Sequence, residues 1–338
     1  MEAVTDVVFR HVVKQAGAPN VFFTEFANAT GWVHAGDKAI AGRLIKTEDE
    51  HPLVAQIWGG EPGDMEQFAA HCAKLGFDGI DINMGCPAKS AIKSGGAALI
   101  RRPDVAVAAI AAAKTAGLPV SVKTRLGYTY IDEWREWLGT LLAQDLANLT
   151  IHLRTKKEMS KVPAHHELID DIIKLRDEIA PQTSLTINGD IRNRVHGEEL
   201  FRAHPGLNGI MIGRGVFSDP FCFACTGARA SQKTIRDPRE VAQIFSETPL
   251  APTNAHAEPE VENNSLPTVT NHKQELIKLL NYHLDLFDRY QPTLGRPFET
   301  LKRFFKIYIR DFDGAKELRD QLMNTKNTDE VRQLLENL

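Results

Sequence analysis

Short apolar segments alternate with amphipathic ones over the first two-thirds of the chain. Apolar runs of about four to eight residues between turn residues predict buried strands, and apolar residues spaced three and four apart predict helices. Because strands that alternate with helices form parallel sheets, the pattern predicts an α/β fold. The predicted strands are VFFTEF (21–26), LVAQIWG (53–59), GIDINMG (79–85), VSVKTRLG (120–127), LTIHLRT (149–155), SLTINGD (184–190) and GIMIGRG (209–215).

The number of strands leaves two architectures open. A helical pattern, DVVFRHVVKQAG (6–17), opens the chain without a preceding strand, and seven strands follow it. A closed (β/α)8 barrel needs eight. The sheet is therefore either open and doubly wound, or it belongs to a (β/α)8 TIM barrel whose first strand lies upstream of Met1.

Polar residues at the strand ends favour the barrel. Each predicted strand carries a polar residue at or beside its carboxyl end, which is where the active sites of (β/α)8 enzymes lie. Seven polar ends in one ring would surround a single pocket. These residues are Glu25, Gln56, Asn83, Lys123, Arg125, His152, Arg154, Asn188, Asp190 and Arg214.

Composition narrows the class of protein. The chain is 43% hydrophobic and 25% charged, no apolar run reaches the roughly 18 residues of a membrane span, and the N-terminus does not resemble a signal peptide. We therefore expect a cytoplasmic protein without a membrane partner. The formal net charge of −4 means that local basic patches would have to hold any RNA. Cys222 and Cys225 form a lone CxxC, which we interpret as packing residues and not as a metal site.

The chain is predicted to contain two domains. A stretch at 246–272 is rich in Pro, Asn and Glu and has no Lys or Arg, which is typical of a linker or disordered insertion. The segments after it have the periodicity of short helices in an all-α bundle. The predicted division is a barrel over 1–235, a linker over 236–272 and a helical domain over 273–338.

Glycine-rich tripeptides, NGD (188–190) and GRG (213–215), follow the last two predicted strands. Glycine lets backbone N–H groups approach an anion, and these loops are the usual phosphate site of a (β/α)8 barrel. We therefore predict a phosphate-bearing cofactor there. Lys123 points at the same pocket and could stabilise a reduced flavin or bind a second phosphate. By itself, a single histidine such as His152 is more typical of a hydrogen-bonded core residue than of a catalyst.

A cysteine follows the strand GIDIN on a tight turn, between Gly85 and Pro87, and a glycine pair stands a few residues later. With MEAVTD, NMGCPAK, SGGAAL, VKTRLG, HLRT, NGDI and IGRG in this order, the chain resembles the tRNA-dihydrouridine synthases over nearly its whole length. NMGCPAK is the most specific of these motifs. The resemblance implies an enzyme that uses FMN, reduced by NADPH, to convert uridines of tRNA to 5,6-dihydrouridine.

The resemblance also implies roles for individual residues. Cys86 would be the general acid that protonates C5 while the flavin delivers hydride to C6, and its thiol should then be neutral, without an activating cation at its sulfur. Asn83 would contact the uracil edge, and Arg125 would lie near the base. The cofactor would be bound by Gln56, Lys123, His152, Asn188, Gly189, Asp190, Gly213 and Arg214.

The helical domain resembles the tRNA-binding domain of that family. In FETLKRFFKIYIR (298–310), a single helix would place Lys302, Arg303, Lys306 and Arg310 within an arc of about 100°, opposite an apolar face. We expect this basic stripe, with Lys302, Arg303 and Lys306 at its centre, to contact tRNA phosphates. We expect the protein to be a monomer and to hold no metal.

Two departures from the family pattern keep alternatives open. Family members begin with a strand that precedes the methionine found here at position 1, so we expect the natural polypeptide to start further upstream. The family usually has a Gln-Gly pair where this chain has Glu158 and Met159, in a loop that borders the base. The alternatives are an FMN barrel that acts on a free pyrimidine or other small molecule, and a tRNA-binding homologue that has lost catalysis with its first strand.

Overall fold

The structure, a computed structural model, describes residues 1–40, 42–224 and 269–336. The chain divides into two compact units, Met1–Ser246 and Glu247–Leu338. Strands and helices alternate in the described part of the first unit, and the described part of the second is helical, as predicted. Most of the predicted linker and Cys225 lie outside the described residues, while the last linker residues, from Val269, belong to a helix.

The predicted opening helix and all the predicted strand positions are present in the first unit. The helices are α1 Val7–Gly17, α2 Ala29–Ala35, α3 Asp37–Ile40, α4 Pro62–Lys74, α5 Pro103–Lys114, α6 Trp134–Leu142, α7 Ile169–Ile179, α8 Arg194–Ala203 and α9 Gly215–Ser218. The strands are β1 Phe22–Phe23, β2 Ala27–Asn28, β3 Leu53–Trp58, β4 Gly79–Asn83, β5 Val120–Arg125, β6 Asn148–His152, β7 Ser184–Asn188 and β8 Gly209–Met211.

The sheet winds in one direction. Its strands pair in the order β1-β3-β4-β5-β6-β7-β8, with β2 also on β3, and every pair is parallel. A doubly wound sheet reverses its strand order at a switch point, and no reversal occurs here. The winding is therefore that of a TIM barrel, which confirms the predicted fold. Within the described residues, no pairing joins β8 to β1.

The first predicted strand is interrupted. Phe23 pairs with Val54 and Ala27 pairs with Ile57, so three intervening residues oppose only two on β3. The extra residue is a bulge: of the predicted strand VFFTEF (21–26) only β1 pairs as a strand, and pairing resumes in β2, just beyond the predicted end. Bulges are common at barrel rims and beside active sites, and this one lies opposite Ala55 and Gln56 of β3.

Apolar side chains cover the face of the central strands that packs against the helices, whereas the alternate residues, on the other face, are largely polar. Ile80 and Ile82 of β4 are fully buried, and Phe68 of α4 and Leu138 of α6 belong to the same core. Outside this core, Arg10 of α1 forms a buried ion pair with a carboxylate of the segment before β3, at 2.6 Å from Nε to Glu50 Oε1.

The described part of the second unit consists of α10 Val269–Leu294, α11 Glu299–Lys302, α12 Phe305–Tyr308, α13 Ala315–Met323 and α14 Thr328–Leu335. The single helix predicted over 298–310 is wrong, because α11 ends at Lys302 and α12 begins at Phe305. Between 304 and 309, every side chain except Lys306 is buried. One straight helix could not bury them all on one face, so the predicted basic arc does not form. No helix in the described ranges is long and apolar enough to span a bilayer.

Candidate active site

The strand register brings predicted site residues together at the carboxyl end of the sheet. Asn83 pairs with Lys123, Arg125 pairs with His152, and His152 pairs with Asn188. These pairings lie at or near the last residues of β4, β5, β6 and β7. The polar strand ends therefore line one edge of the sheet, as in the mouth of a barrel. Of the other predicted positions, Gln56 lies in β3 two residues before its end, Gly189 and Asp190 follow β7, and Gly213 and Arg214 follow β8.

Cys86 stands on a turn that its neighbours hold in place. Asn83 Oδ1 accepts hydrogen bonds from the backbone N–H groups of Gly85, at 3.1 Å, and Cys86, at 3.0 Å. The guanidinium of Arg125 donates from Nε to the Gly85 carbonyl at 2.8 Å. A Cβ at position 85 would lie 3.2 Å from the Thr124 backbone, so a glycine allows the turn to approach β5 this closely. These contacts therefore fix the backbone of the turn that carries the thiol.

The glycine pair supports this turn from the other side. Gly96 has a φ of +56°, and a Cβ there would lie 2.9 Å from the Cys86 carbonyl oxygen. The next residue, Ala97, donates its N–H to that same oxygen at 3.0 Å. A Cβ on Gly95 would lie 3.0 Å from the carbonyl oxygen of Gly59. Both glycines thus allow backbone segments to pack closely around the cysteine.

The Cys86 thiol is partly buried, and burial raises its pKa above the ordinary value. Two cations, Arg125 and Lys123, act in the opposite direction without reversing the shift. The thiol is therefore protonated at neutral pH, as predicted, although cations lie closer to it than predicted. A neutral thiol suits proton donation better than nucleophilic attack.

A buried hydrogen-bonded chain leads from the turn into the sheet. Asn83 Nδ2 donates to Gln56 Oε1 at 3.3 Å, and Gln56 Nε2 donates to Asp81 Oδ2 at 2.7 Å. Ser121 donates from its hydroxyl to Asp81 Oδ1 at 2.7 Å. Burial raises the pKa of the Asp81 carboxyl. The sequence analysis missed Asp81, although a carboxylate inside the apolar run GIDIN was a signal that could have identified it.

The bulge between β1 and β2 contributes to this chain. Thr24 Oγ1 accepts the backbone N–H of Gln56 at 3.0 Å, in place of a ladder carbonyl. The hydroxyl in turn donates to the Glu25 carbonyl at 2.9 Å. The side chain of Glu25 is fully buried at the bulge. This arrangement fixes the backbone of Gln56, whose side chain lies in the chain that leads to Cys86.

Burial and neighbouring cations together lower the pKa values of Lys123 and His152 at the mouth. Burial, followed by the charge of Arg125, lowers the pKa of Lys123 to about 8. Burial and four surrounding cations, Lys123, Arg125, Arg154 and Arg214, hold the pKa of His152 far below its usual range. His152 is therefore neutral. Because a guanidinium only donates, the 3.1 Å contact from Arg154 Nη1 makes Nε2 the acceptor and assigns the proton to Nδ1.

The NGD loop after β7 holds Arg154 in position. The carboxylate of Asp190 accepts hydrogen bonds from Arg154 Nη2 and, at 2.9 Å, from the backbone N–H of Ala164. Gly189 has a φ of +127°, and a Cβ there would lie 2.9 Å from the Ala164 Cβ. Asp190 thus orients a cation, whereas the sequence prediction made it a cofactor ligand.

The GRG loop follows β8. Asn188 Nδ2 donates to the Met211 carbonyl at 2.8 Å and so links the ends of β7 and β8. A Cβ on Gly215 would collide with the Arg192 carbonyl oxygen, whereas one on Gly213 would come no closer than 3.8 Å to another atom. The backbone at Gly213 is therefore accessible. With Lys123, Arg214 and neutral His152 nearby, the donor set suits a ligand that carries a phosphate.

The predicted tRNA contacts of the second unit lie in α11 and α12 or between them. Lys302 Nζ donates to the Met323 carbonyl at 3.0 Å and forms an ion pair with Glu299 at 3.0 Å. Its side chain is 10% exposed. Arg303 Nε donates to the Thr300 carbonyl at 3.1 Å. The side chain of Lys306, in α12, is exposed.

Cys72 and Cys222 are the other cysteines among the described residues, and both are buried. Cys222 is buried, which raises its pKa to about 12, in keeping with a packing role. No group of three or more His, Cys, Asp or Glu side chains in the described part of the chain could hold a metal ion.

A parallel sheet of barrel winding, with a protonated thiol, buried amides and cations at the carboxyl ends of its strands, defines the class of (β/α)8 barrel enzymes. A family model, Dihydrouridine synthase (Dus), matches residues 1–338. The chain belongs to this family, which is one of oxidoreductases that modify tRNA.

Curated relatives agree with the family model. The chain is 52% identical over 338 residues to "Probable tRNA-dihydrouridine synthase 2" of Bacillus subtilis (strain 168), and the match covers 99% of this chain and 91% of the relative. It is 49% identical to "Probable tRNA-dihydrouridine synthase" of Staphylococcus aureus (strain Mu50 / ATCC 700699), with 99% and 90% covered. These matches confirm the resemblance drawn from the motifs.

One solved structure is similar over part of the chain. "X-structure of a variant of NCR from zymomonas mobilis" is 15% identical, with a TM-score of 0.44, and the match covers 73% of this chain and 82% of that one.

Proposed function

We propose that this protein reduces uridines of tRNA to 5,6-dihydrouridine, with FMN as the bound cofactor and NADPH as the reductant. Family membership supports the reaction and the substrate class. The observation that carries the proposal is the Cys86 thiol, which is partly exposed on a fixed turn and kept protonated by burial. Saturation of a C5=C6 bond needs one hydride and one proton, and this thiol is a suitable source of the proton.

The chemistry of the mouth fits a flavin phosphate. Lys123 is a partly exposed cation, and the neutral His152 has an Nδ1 proton to donate. The backbone of the GRG loop is open at Gly213. When bound and reduced, the flavin would supply hydride to C6 of the uracil. Lys123 and Arg214 would bind its negative charge, and His152 would donate to it.

The proton would move from Cys86 Sγ to C5 as hydride reaches C6, so that the double bond becomes single and a thiolate remains. Because burial raises the pKa of Cys86, that thiolate recovers a proton from water readily. Asn83 Oδ1 is already engaged by two backbone N–H groups, and one Nδ2 hydrogen faces Gln56. The other Nδ2 hydrogen is left for a uracil carbonyl.

Replacement of the thiol tests the proposal. We expect Cys86→Ala to lower dihydrouridine formation in unmodified tRNA by about 10², the usual scale for loss of a positioned acid. Flavin content and NADPH oxidation should stay at the wild-type level, because the thiol serves only the second half of the reaction. Mass spectrometry of digested tRNA and the flavin absorbance measure the two parts. Cys72→Ala, which removes a buried thiol of α4, is the matched control.

Other outcomes would favour the alternatives. Product formed by Cys86→Ala at the wild-type rate would mean that another group supplies the proton. Reduction of free uridine or uracil, without activity on tRNA, would favour a small-molecule oxidoreductase. A colourless protein that binds tRNA would be a binding homologue.

A further inference from the structure

A group of cations and tyrosines on the barrel unit has no part in the chemistry described above. It comprises Arg101, just before α5, Tyr128 and Tyr130 after β5, and Lys156 and Lys157 after β6. We call these five residues the rim patch, because the loops that carry them follow the carboxyl ends of strands.

The members of the rim patch contact one another. The Arg101 guanidinium lies 3.9 Å from the centre of the Tyr128 ring, and Lys156 Nζ lies 4.8 Å from the same ring. Lys157 Nζ lies 5.7 Å from the Tyr130 ring, which is 65% exposed. A cation is attracted to the face of an aromatic ring, so these contacts hold the side chains together in one surface.

A single carboxylate organises the loop that carries both tyrosines. Glu133 accepts the backbone N–H groups of Tyr128, at 2.6 Å, Thr129, at 3.1 Å, and Tyr130, at 2.9 Å. The carboxylate oxygens are thus occupied by backbone donors. No carboxylate of the described ranges forms an ion pair with a cation of the rim patch.

The two loops are joined through their backbones. The N–H of Lys156 donates to the Gly127 carbonyl at 2.8 Å, and that of Lys157 donates to the Tyr128 carbonyl at 2.9 Å. A Cβ at position 127 would lie 2.6 Å from the Tyr130 carbonyl oxygen, so only glycine permits this fold of the loop. The rim patch is therefore built before any ligand arrives, which lowers the entropy cost of binding.

The rim patch adjoins the turn of the thiol. Arg125 donates from Nε to the Gly85 carbonyl, beside Cys86, at 2.8 Å. Its Nη1 donates to the Thr155 carbonyl, next to Lys156, at 3.2 Å. One guanidinium thus connects the Cys86 turn to the loop that carries both lysines.

We propose that the rim patch binds the RNA strand that flanks the reduced uridine. Its cations contact phosphates, and the exposed Tyr130 ring stacks on an unpaired neighbouring base. Cations without a carboxylate partner, combined with an exposed aromatic face, are the features that bind single-stranded RNA, whereas a paired helix offers no open base to stack on. This inference rests on the proposed function, because it needs a tRNA loop at the mouth.

Binding of an unmodified tRNA transcript, measured by fluorescence anisotropy at several salt concentrations, tests the inference. We expect the double variant K156Q/K157Q to bind about tenfold more weakly and to lower the salt slope by about one to two units, since each phosphate contact contributes about 0.7 on single strands. Tyr130→Ala should bind about tenfold more weakly, and Tyr130→Phe should restore the wild-type affinity because stacking is retained.

A second double variant, K46Q/K174Q, removes two cations elsewhere on the same unit. Lys46 Nζ also lies over an aromatic ring, 5.3 Å from that of Phe77, just before β4 at the opposite end of the sheet. The side chain of Lys174 is 70% exposed. This variant should bind like the wild type, and an equal loss of affinity here would mean that total charge matters and not the rim patch.

The outcomes separate the two proposals. If the wild type forms dihydrouridine while the K156Q/K157Q and Tyr130→Ala variants keep wild-type affinity and salt slope, the rim inference is overturned and the proposed function stands. If the wild type binds tRNA through the rim patch but forms no dihydrouridine, the proposed function fails and the RNA surface stands. If the wild type does not bind tRNA, both fail.

Discussion

The rim patch of the barrel unit and the segment 298–310 of the helical unit both hold cations against aromatic rings, yet the cations differ in what else they bind. Lys302 Nζ lies 5.5 Å from the Phe298 ring, but it also donates to the Met323 carbonyl and pairs with Glu299. The rim cations have no carboxylate partner among the described residues.

The difference shows why cation spacing is a poor guide to RNA contacts. A lysine that already satisfies a helix-end carbonyl and a carboxylate must break both contacts to reach a phosphate, and its net gain is small. A lysine over a tyrosine ring keeps that contact while its remaining donors face solvent. The number of protein partners that a cation already has is therefore the better criterion.

The largest effect in this comparison is expected from the residue that organises the rim loop. Glu133→Ala leaves three backbone N–H groups without their acceptor, so we expect a loss of about 1 to 3 kcal/mol of stability and at least tenfold weaker tRNA binding. Denaturant unfolding and anisotropy measure the two effects. The control is Glu136→Ala, which removes an exposed carboxylate of α6 and should change neither stability nor tRNA binding. If Glu133→Ala binds tRNA as the wild type does, the geometry of the rim loop does not matter for RNA recognition.

A smaller effect should appear in the helical unit on acidification. Burial lowers the pKa of His283 to about 3, and its Nδ1 lies 2.7 Å from the Tyr308 hydroxyl. Because the unfolded imidazole titrates near 6.5, the unfolded state takes up the proton first as the pH falls. The contribution of His283 to stability is therefore intact above about pH 6.5 and is lost toward pH 3, by about 1.4 kcal/mol per pH unit.

The two units can be followed separately in this experiment. All four tryptophans lie in the barrel unit, so their fluorescence reports on the barrel, while far-UV circular dichroism also reports on the helical unit. We expect His283→Asn to flatten the dependence of helical stability on pH below 6.5. Equal slopes for variant and wild type would show that other groups control acid unfolding.

The smallest effect is expected from the cations of the helical unit. Replacement of Lys302, Arg303 and Lys306 by glutamine should weaken tRNA binding by less than about threefold and lower the salt slope by less than about one unit. The reason is that Lys302 and Arg303 already donate to backbone carbonyls. A fall in the salt slope by two or three units would instead mean that this segment makes the main RNA contact, as the sequence spacing predicts.

The fold was largely predictable because it depends on local periodicity. The predicted strand VSVKTRLG (120–127) contains β5, which ends two residues earlier at Arg125, and α1 begins directly after Asp6, whose carboxylate caps the helix. The bulge between β1 and β2 could not be predicted, because an extra residue in one strand shows only against the register of its partner. The break after Lys302 was missed because the sequence of 298–310 also fits one helix with a basic and an apolar face.

The site was predictable only in part. Motifs identified Cys86 and Asn83, whose positions relative to strand β4 are set by local sequence. Asp81 and the rim tyrosines depend on contacts between strands: Ser121 meets Asp81 across 40 residues, and Lys156 meets Tyr128 across adjacent loops. Such pairs follow from the winding of the sheet and not from the spacing along the chain.

Backbone N–H groups can only donate, and this fixes the orientation of the two side-chain amides, Asn83 and Gln56, that lead inward from Cys86. The Asn83 side-chain oxygen must face the backbone N–H groups of the Cys86 turn, so its nitrogen faces Gln56. Gln56 accepts there with its oxygen and must therefore donate an N–H to Asp81. A carboxylate at position 56 would have no hydrogen to give and would oppose a second negative charge. An amide at position 81 could still accept from Gln56 while it offers its own N–H to the Ser121 hydroxyl. The range of side chains that the hydrogen-bonded chain can accept therefore increases with distance from the thiol, toward the centre of the sheet.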